Sequence, residues 1–181
     1  MKKKLKREIE LPNGVSAIVS GAQLSIKGPN GELKRALKLH LVSVITDSKK
    51  IVLEAENPTK RHKKAMGSLG AHIKNMIKGS LQNHDYMLKI CSGHFPMNVA
   101  VSANKLTIKN FLGEKIPRVL QLKDGASVKV EGEFIRVTSA SKEIAGQVSA
   151  DIEQLMRRPG FDTRIFQDGI YIINKDGKEM K

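Results

Sequence analysis

The sequence predicts an α+β fold written twice, each copy an antiparallel sheet covered by one helix. Two observations predict the duplication. The stretches Leu24-Ser-Ile-Lys-Gly-Pro-Asn-Gly-Glu32 and Leu106-Thr-Ile-Lys-Asn-Phe-Leu-Gly-Glu114 agree at five of nine positions at a separation of 82 residues. The stretch from Gly67 to Lys78 lies over Gly146 to Arg157 at a separation of 79, so only connecting loops differ in length. A unit of this size is too long for a solenoid period and fits a duplicated domain. The third observation is periodicity: in each copy, short runs of alternating apolar and polar residues are followed by one apolar stripe at helical spacing.

In chain order, Lys2–Arg7 is a basic arm. Val15–Ser20 and Gln23–Lys27 read as a hairpin about Gly21-Ala22, and Gly28-Pro29-Asn30-Gly31 makes a second turn. Glu32–Leu39, Val42–Thr46 and Lys50–Ala55 continue the meander. Asn57-Pro58 has the form of an N-cap followed by the first helical position, and Gly79 closes that helix. Met66, Leu69, Ile73, Met76 and Ile77 form its buried stripe. Gly67 and Gly70 each cost about 1 kcal/mol inside a helix, so a close approach of helix to sheet is expected there. Tyr86–Cys91 returns as a strand and ends the first repeat, residues 1–91.

Residues 92–97 form a linker stiffened by Pro96, and the second repeat covers 98–181. Asn98–Ala103 and Lys105–Lys109 make its hairpin, and Arg118–Leu122, Ser127–Val130 and Phe134–Thr138 continue the sheet. Turns are expected at Lys123-Asp124-Gly125 and Glu131-Gly132-Glu133. A helix runs from Ser141 to Arg157 on Ile144, Val148, Ile152, Leu155 and Met156, and Pro159-Gly160 stops it. Thr163–Phe166 and Ile170–Ile173 flank a turn at Gln167-Asp168-Gly169.

Composition narrows function. The 181 residues carry 32 Lys+Arg against 18 Asp+Glu, a net charge of +14 that favours a polyanion. Residues 1–91 hold 18 basic and 7 acidic side chains (net +11), and residues 92–181 hold 14 and 11 (net +3). Aromatics are 4% with no Trp, so aliphatic side chains and Met fill the core and sequence-selective single-strand binding is disfavoured. The lone Cys91 reads as a small buried hydrophobe and suits a reducing cytoplasm. No apolar run reaches membrane-spanning length and no basic amphipathic helix carries a bulky aromatic face, so no membrane partner is expected.

No catalytic constellation is present. Histidines 40, 62, 72, 84 and 94 show no HExxH spacing, and there is no Gly-x-Ser-x-Gly elbow or phosphate-binding GxxxxGK[ST] loop. Neither an enzyme, a cofactor, a metal nor a small-molecule substrate is expected. Gly28-Pro-Asn-Gly31 has the spacing of an RNA-clamping GxxG loop, but it joins strands rather than helices and reads as a plain turn. Two basic clusters stand out. Lys60, Arg61, Lys63 and Lys64 fill the start of the first helix, where the dipole disfavours cations, which implies a nearby anion or a solvated face. Arg157, Arg158 and Arg164 lie on a proline-stiffened loop; arginine forks suit bidentate phosphate contacts, so this is the stronger site.

The duplicated units, Ile108-Lys-Asn-Phe-Leu-Gly-Glu114, and above all Arg164-Ile-Phe-Gln-Asp-Gly-Ile-Tyr-Ile172 with Lys175 beyond, resemble the ribosomal protein L-six family of the large subunit across essentially the whole chain. The Arg164, Phe166, Asp168-Gly169 and Tyr171 pattern is similar to the archaeal and eukaryotic form, and the short tail after Lys175 to an archaeal member. The resemblance implies binding to large-subunit (23S-type) ribosomal RNA near the stalk base and the translation-factor-binding region, beside neighbouring ribosomal proteins, in the cytoplasm. It also implies that the second domain makes most of the RNA contact, through Lys109, Asn110, Lys115, Arg118, Arg157, Arg158, Arg164 and Lys175. The rival expectation is a protein-interaction adaptor in which the nearly neutral second domain adds a partner strand at a sheet edge.

Overall fold

The computed structural model describes residues 4–37, 42–47, 49–56, 58–93, 95–162 and 164–180. Lys2, Lys3, Leu39, His40, Asn57, His94 and Thr163, all used in the sequence reading, lie outside them. The chain forms two compact units, residues 1–83 and 84–181.

The first unit contains β1 (Leu5–Glu10), β2 (Ser16–Ser20), β3 (Gln23–Gly28), β4 (Gly31–Ala36), β5 (Ser43–Thr46), β6 (Lys50–Ala55) and α1 (Lys60–Leu81). These strands make two antiparallel sheets, ordered β1-β6-β5 and β2-β3-β4. The second unit contains β7 (His84–Cys91), β8 (Asn98–Ser102), β9 (Lys105–Lys109), a 3-10 turn (Phe111–Gly113), β10 (Arg118–Gln121), β11 (Ser127–Glu131), β12 (Phe134–Ser139), α2 (Lys142–Leu155), β13 (Gly169–Lys175) and β14 (Lys178–Glu179). Its sheets run β11-β12-β7-β13-β14 and β10-β9-β8.

The second unit repeats the six strands and the helix of the first, with β7 in the place of β1, and adds β13 and β14 beside β7. Ile9 lies opposite Ile51 in one unit and Leu88 opposite Ile135 in the other. The boundary therefore falls at 83/84 and not at 91/92: Tyr86–Cys91 opens the second repeat instead of closing the first. Alternation marks a strand but not its sheet, and the partners of β7 lie far along the chain. The charge split survives, because Asp85 and Lys89 change sides together and leave +11 and +3.

Matching positions build the two cores. Leu24, Ile26, Ile51, Leu53 and Ile73 are fully buried in the first unit, as are Leu106, Ile108, Ile135, Val137 and Ile152 in the second. Burial of each such side chain contributes about 1.5–3 kcal/mol; the first core contains no aromatic residue, whereas the second adds Phe111 and Tyr86.

Several element ends differ from expectation. Thr59 is the N-cap of α1, and His62 Nδ1 sits 2.7 Å from its hydroxyl and 3.4 Å from its backbone N–H, a reciprocal cap one turn in. Gly79 does not stop α1, which runs on to Leu81. Gly70 is buried, and a Cβ there would stand 3.1 Å from the Arg7 guanidinium of β1, whereas a Cβ at Gly67 would meet nothing within 4 Å. The expected close approach exists at Gly70 alone. α2 ends at Leu155, and Ser141 caps its start by accepting the Ile144 N–H. Residues 164–166 are not a strand: Asp162 O accepts the N–H groups of Ile165 (3.1 Å) and Phe166 (2.9 Å), closing a turn. His84 is buried, its Nδ1 3.0 Å from Asp176 Oδ2, which accounts for one histidine without a metal.

Candidate nucleic-acid interface

A helix leaves its last carbonyls without intrahelical donors, and α2 finds one in Arg118. Arg118 Nη1 donates to Leu155 O (2.5 Å) and Arg157 O (3.3 Å). Its Nε and Nη2 grip both oxygens of Glu114 (2.8 and 2.7 Å), and the guanidinium lies 4.5 Å over the Phe111 ring. Glu114 also stands 3.8 Å from Arg158. The Arg118 hydrogen bonds hold the Glu114 carboxyl below the usual carboxylate range, and the charges of Arg118 and Arg158 act in the same direction. This fork fastens the 110–117 loop to the end of α2, so two segments 39 residues apart in sequence, counted from Arg118 to Arg157, present their cations together.

The loop after α2 is shaped by its own side chains. Asp162 Oδ1 accepts the Arg164 N–H (2.9 Å), and the Arg164 fork closes on the same carboxylate, with Nη2 at 2.7 Å. Those bonds pull the Asp162 carboxyl down and leave the Arg164 side chain 88% exposed. Arg158 lies 4.3 Å over the Phe161 ring, which packs edge-on against Phe166 with centroids 4.9 Å apart. Asp168 Oδ1 accepts the Gly93 N–H (2.7 Å), tying the loop's far end to the residues after β7. Between the two loops lies a cavity of about 560 Å³, with Phe111, Met156 and Ile170 among its apolar walls, Phe161, Phe166 and Tyr171 at its mouth, and Arg157 and Arg158 on its rim. Burial pushes the Tyr171 phenol up, helped by Cys91, Asp168 and Glu153.

The sequence-predicted residues therefore divide. Lys109, Lys115 and Arg157 are exposed, and none of these side chains makes an ion pair among the described residues. Arg158 and Arg164 are half or largely exposed and held in place by Phe161 and Asp162. Arg118 is a positioning residue, its fork occupied within the fold. Asn110 adopts the left-handed conformation (φ 62°) and donates to Pro96 O (3.1 Å), so it too shapes the loop. Lys175 lies apart, at the end of β13 opposite Gly169, roughly 20 Å along an extended strand. Lys60, Arg61, Lys63 and Lys64 are exposed in the first unit, on a first turn without any acid.

Glu114 and the aromatic mouth escaped sequence reading. Their signal was present in the five-residue spacing of Phe161, Phe166 and Tyr171 around arginines, but an overall aromatic content of 4% argued against looking for it. Among the described residues no three His, Cys, Asp or Glu side chains converge on a metal site, and no helix is long and apolar enough to cross a membrane.

The sequence model of the Ribosomal protein L6 family matches residues 11–82 and 95–169. The large ribosomal subunit protein uL6 of Methanococcus vannielii is 42% identical over 176 residues, covering 97% of each chain. That of Methanobrevibacter smithii is 40% identical over 172 residues, covering 95% of this chain and 97% of its own. That of Methanocella arvoryzae is 42% identical over 170 residues, covering 93% and 96%. With both repeats matched and relatives aligned nearly end to end, the chain belongs to the Ribosomal protein L6 family.

Proposed function

We propose that this protein is a non-catalytic structural component of the large ribosomal subunit whose second unit binds large-subunit ribosomal RNA near the stalk base and the factor-binding region. The convergence of the 110–117 and 157–168 loops through Arg118 carries this reading. Lys109, Lys115, Arg157, Arg158 and Arg164 contact phosphates and 2′-hydroxyls, and Arg118 and Asn110 hold the loops that present them. A preformed, internally braced site loses less conformational entropy on binding than a loose basic tail. Lys60, Arg61, Lys63 and Lys64 meet peripheral phosphates or neighbouring ribosomal proteins. The relatives' names as large-subunit proteins support the assignment, and the place of work is the cytoplasmic ribosome. Strand addition, the adaptor reading, would have to use an outer strand of the second unit's sheets, β8, β10, β11 or β14, because β7 is interior.

Titration of the full chain onto large-subunit ribosomal RNA, with unrelated duplex RNA as competitor and over a range of salt, tests this. Selective binding that weakens steeply with salt, by about 0.7–0.9 logarithmic units of affinity per phosphate contact per decade of salt, is the expected result. Binding that ignores salt or fails to distinguish the two RNAs overturns it.

A further inference from the structure

Four of the chain's seven aromatic side chains (Phe 5, Tyr 2) line the cavity between the two loops: Phe111, Phe161, Phe166 and Tyr171. Phe161, Phe166 and Tyr171 are 37%, 45% and 40% exposed there, whereas Phe111 and Tyr86 are buried in the second unit's core. Half-exposed rings gathered on one concavity are what a stacking platform requires, since every base has a π-face. Two carboxylates also line it: Glu153 accepts the Ile172 N–H through Oε1, and Asp168 accepts the Gly93 N–H through Oδ1, leaving a second oxygen on each. Arg157 and Arg158 stand at the rim.

We propose that this cavity receives one unstacked purine of the bound RNA, its ring among the side chains of Phe161, Phe166 and Tyr171, its N–H donors toward Asp168 and Glu153, and its flanking phosphates on Arg157 and Arg158. The inference rests on the RNA-binding reading and deepens it. Charge selects the occupant: an apolar peptide side chain would satisfy the rings but neither the rim cations nor the carboxylates, whereas a nucleotide satisfies all three. The volume of about 560 Å³ lies within the range of small-molecule sites and admits a purine with its ribose. Gly169 keeps the site open, because a Cβ there would stand 3.1 Å from the Tyr171 ring.

The chain lacks Trp, so Phe166→Trp places a single indole reporter at the mouth. Titrating the full-length variant with large-subunit ribosomal RNA is expected to quench that fluorescence over the same concentrations as binding. Phe161→Leu and Phe166→Leu, which keep apolar volume but lose the π-face, are each expected to weaken binding about tenfold. Gly169→Ala, which removes no aromatic, is expected to weaken it by displacing Tyr171. Binding without quenching, or unchanged affinity in folded Leu variants, overturns the base pocket while leaving RNA binding intact. Absence of any RNA binding by the wild-type chain overturns both.

Discussion

Arg118 illustrates how one side chain can look like a ligand contact and be a structural pin. Its guanidinium satisfies Glu114, two carbonyls at the end of α2 and the Phe111 face at once. Arg118→Met keeps the stem and removes the fork, and hydrogen bonds to charged groups contribute about 1.5–3 kcal/mol, so a stability loss of about 2–3 kcal/mol is expected in urea unfolding. The sign with pH follows from Glu114. Its folded value is depressed, so its contribution is complete above the ordinary value near 4.5 and is lost as pH falls through the lower folded value. The stability gap between wild type and Arg118→Met should therefore narrow below that pH; a gap constant with pH would show that the pair contributes nothing through charge. The sequence suggested Arg118 as an RNA contact; that its fork is engaged within the fold was not legible there, because its acceptor Leu155 O lies 37 residues away.

Elements were legible where local chemistry decides them. Alternation and turn residues located β2, β3, β5, β6, β8, β9 and β12 to within a residue or two, and the stripes on Ile73 and Ile152 located both helices. Four things needed the tertiary structure: that Leu5–Glu10, partly read as a basic arm, is strand β1 beside β6, that Lys178–Glu179 forms β14, which sheet β7 joins, and that residues 164–166 close a turn on Asp162. The helix glycines separate the same way. Gly67 faces open space, so Gly67→Ala should gain up to about 1 kcal/mol, whereas at Gly70 a methyl must displace the Arg7 guanidinium and the gain should vanish or reverse. Urea midpoints of the two variants check this; equal gains would mean that Arg7 yields freely.

At the scale of the whole molecule, charge and placement point to different units. The first unit carries +11 and the second +3, yet the second gathers its cations on two loops fixed to one helix end. Net charge sets diffuse attraction to RNA; pre-positioned groups set register and selectivity. The duplication and the family's motif were readable in the sequence. The aromatic cavity was not, since Phe111, Phe161, Phe166 and Tyr171 converge only once the chain has folded around β13.

The most direct test compares two full-length variants on large-subunit ribosomal RNA across salt: Lys109→Ala/Lys115→Ala/Arg157→Ala in the second unit, and Lys60→Ala/Arg61→Ala/Lys63→Ala/Lys64→Ala in the first. None of the first set makes an ion pair among the described residues, so folding should be unaffected. The account predicts that this triple variant loses affinity, about one unit of salt slope per residue, and preference for ribosomal over unrelated RNA, while the quadruple variant loses affinity for both RNAs alike. Retained selectivity in the triple variant, with selectivity lost in the quadruple one, would contradict it and move the specific interface to the first unit.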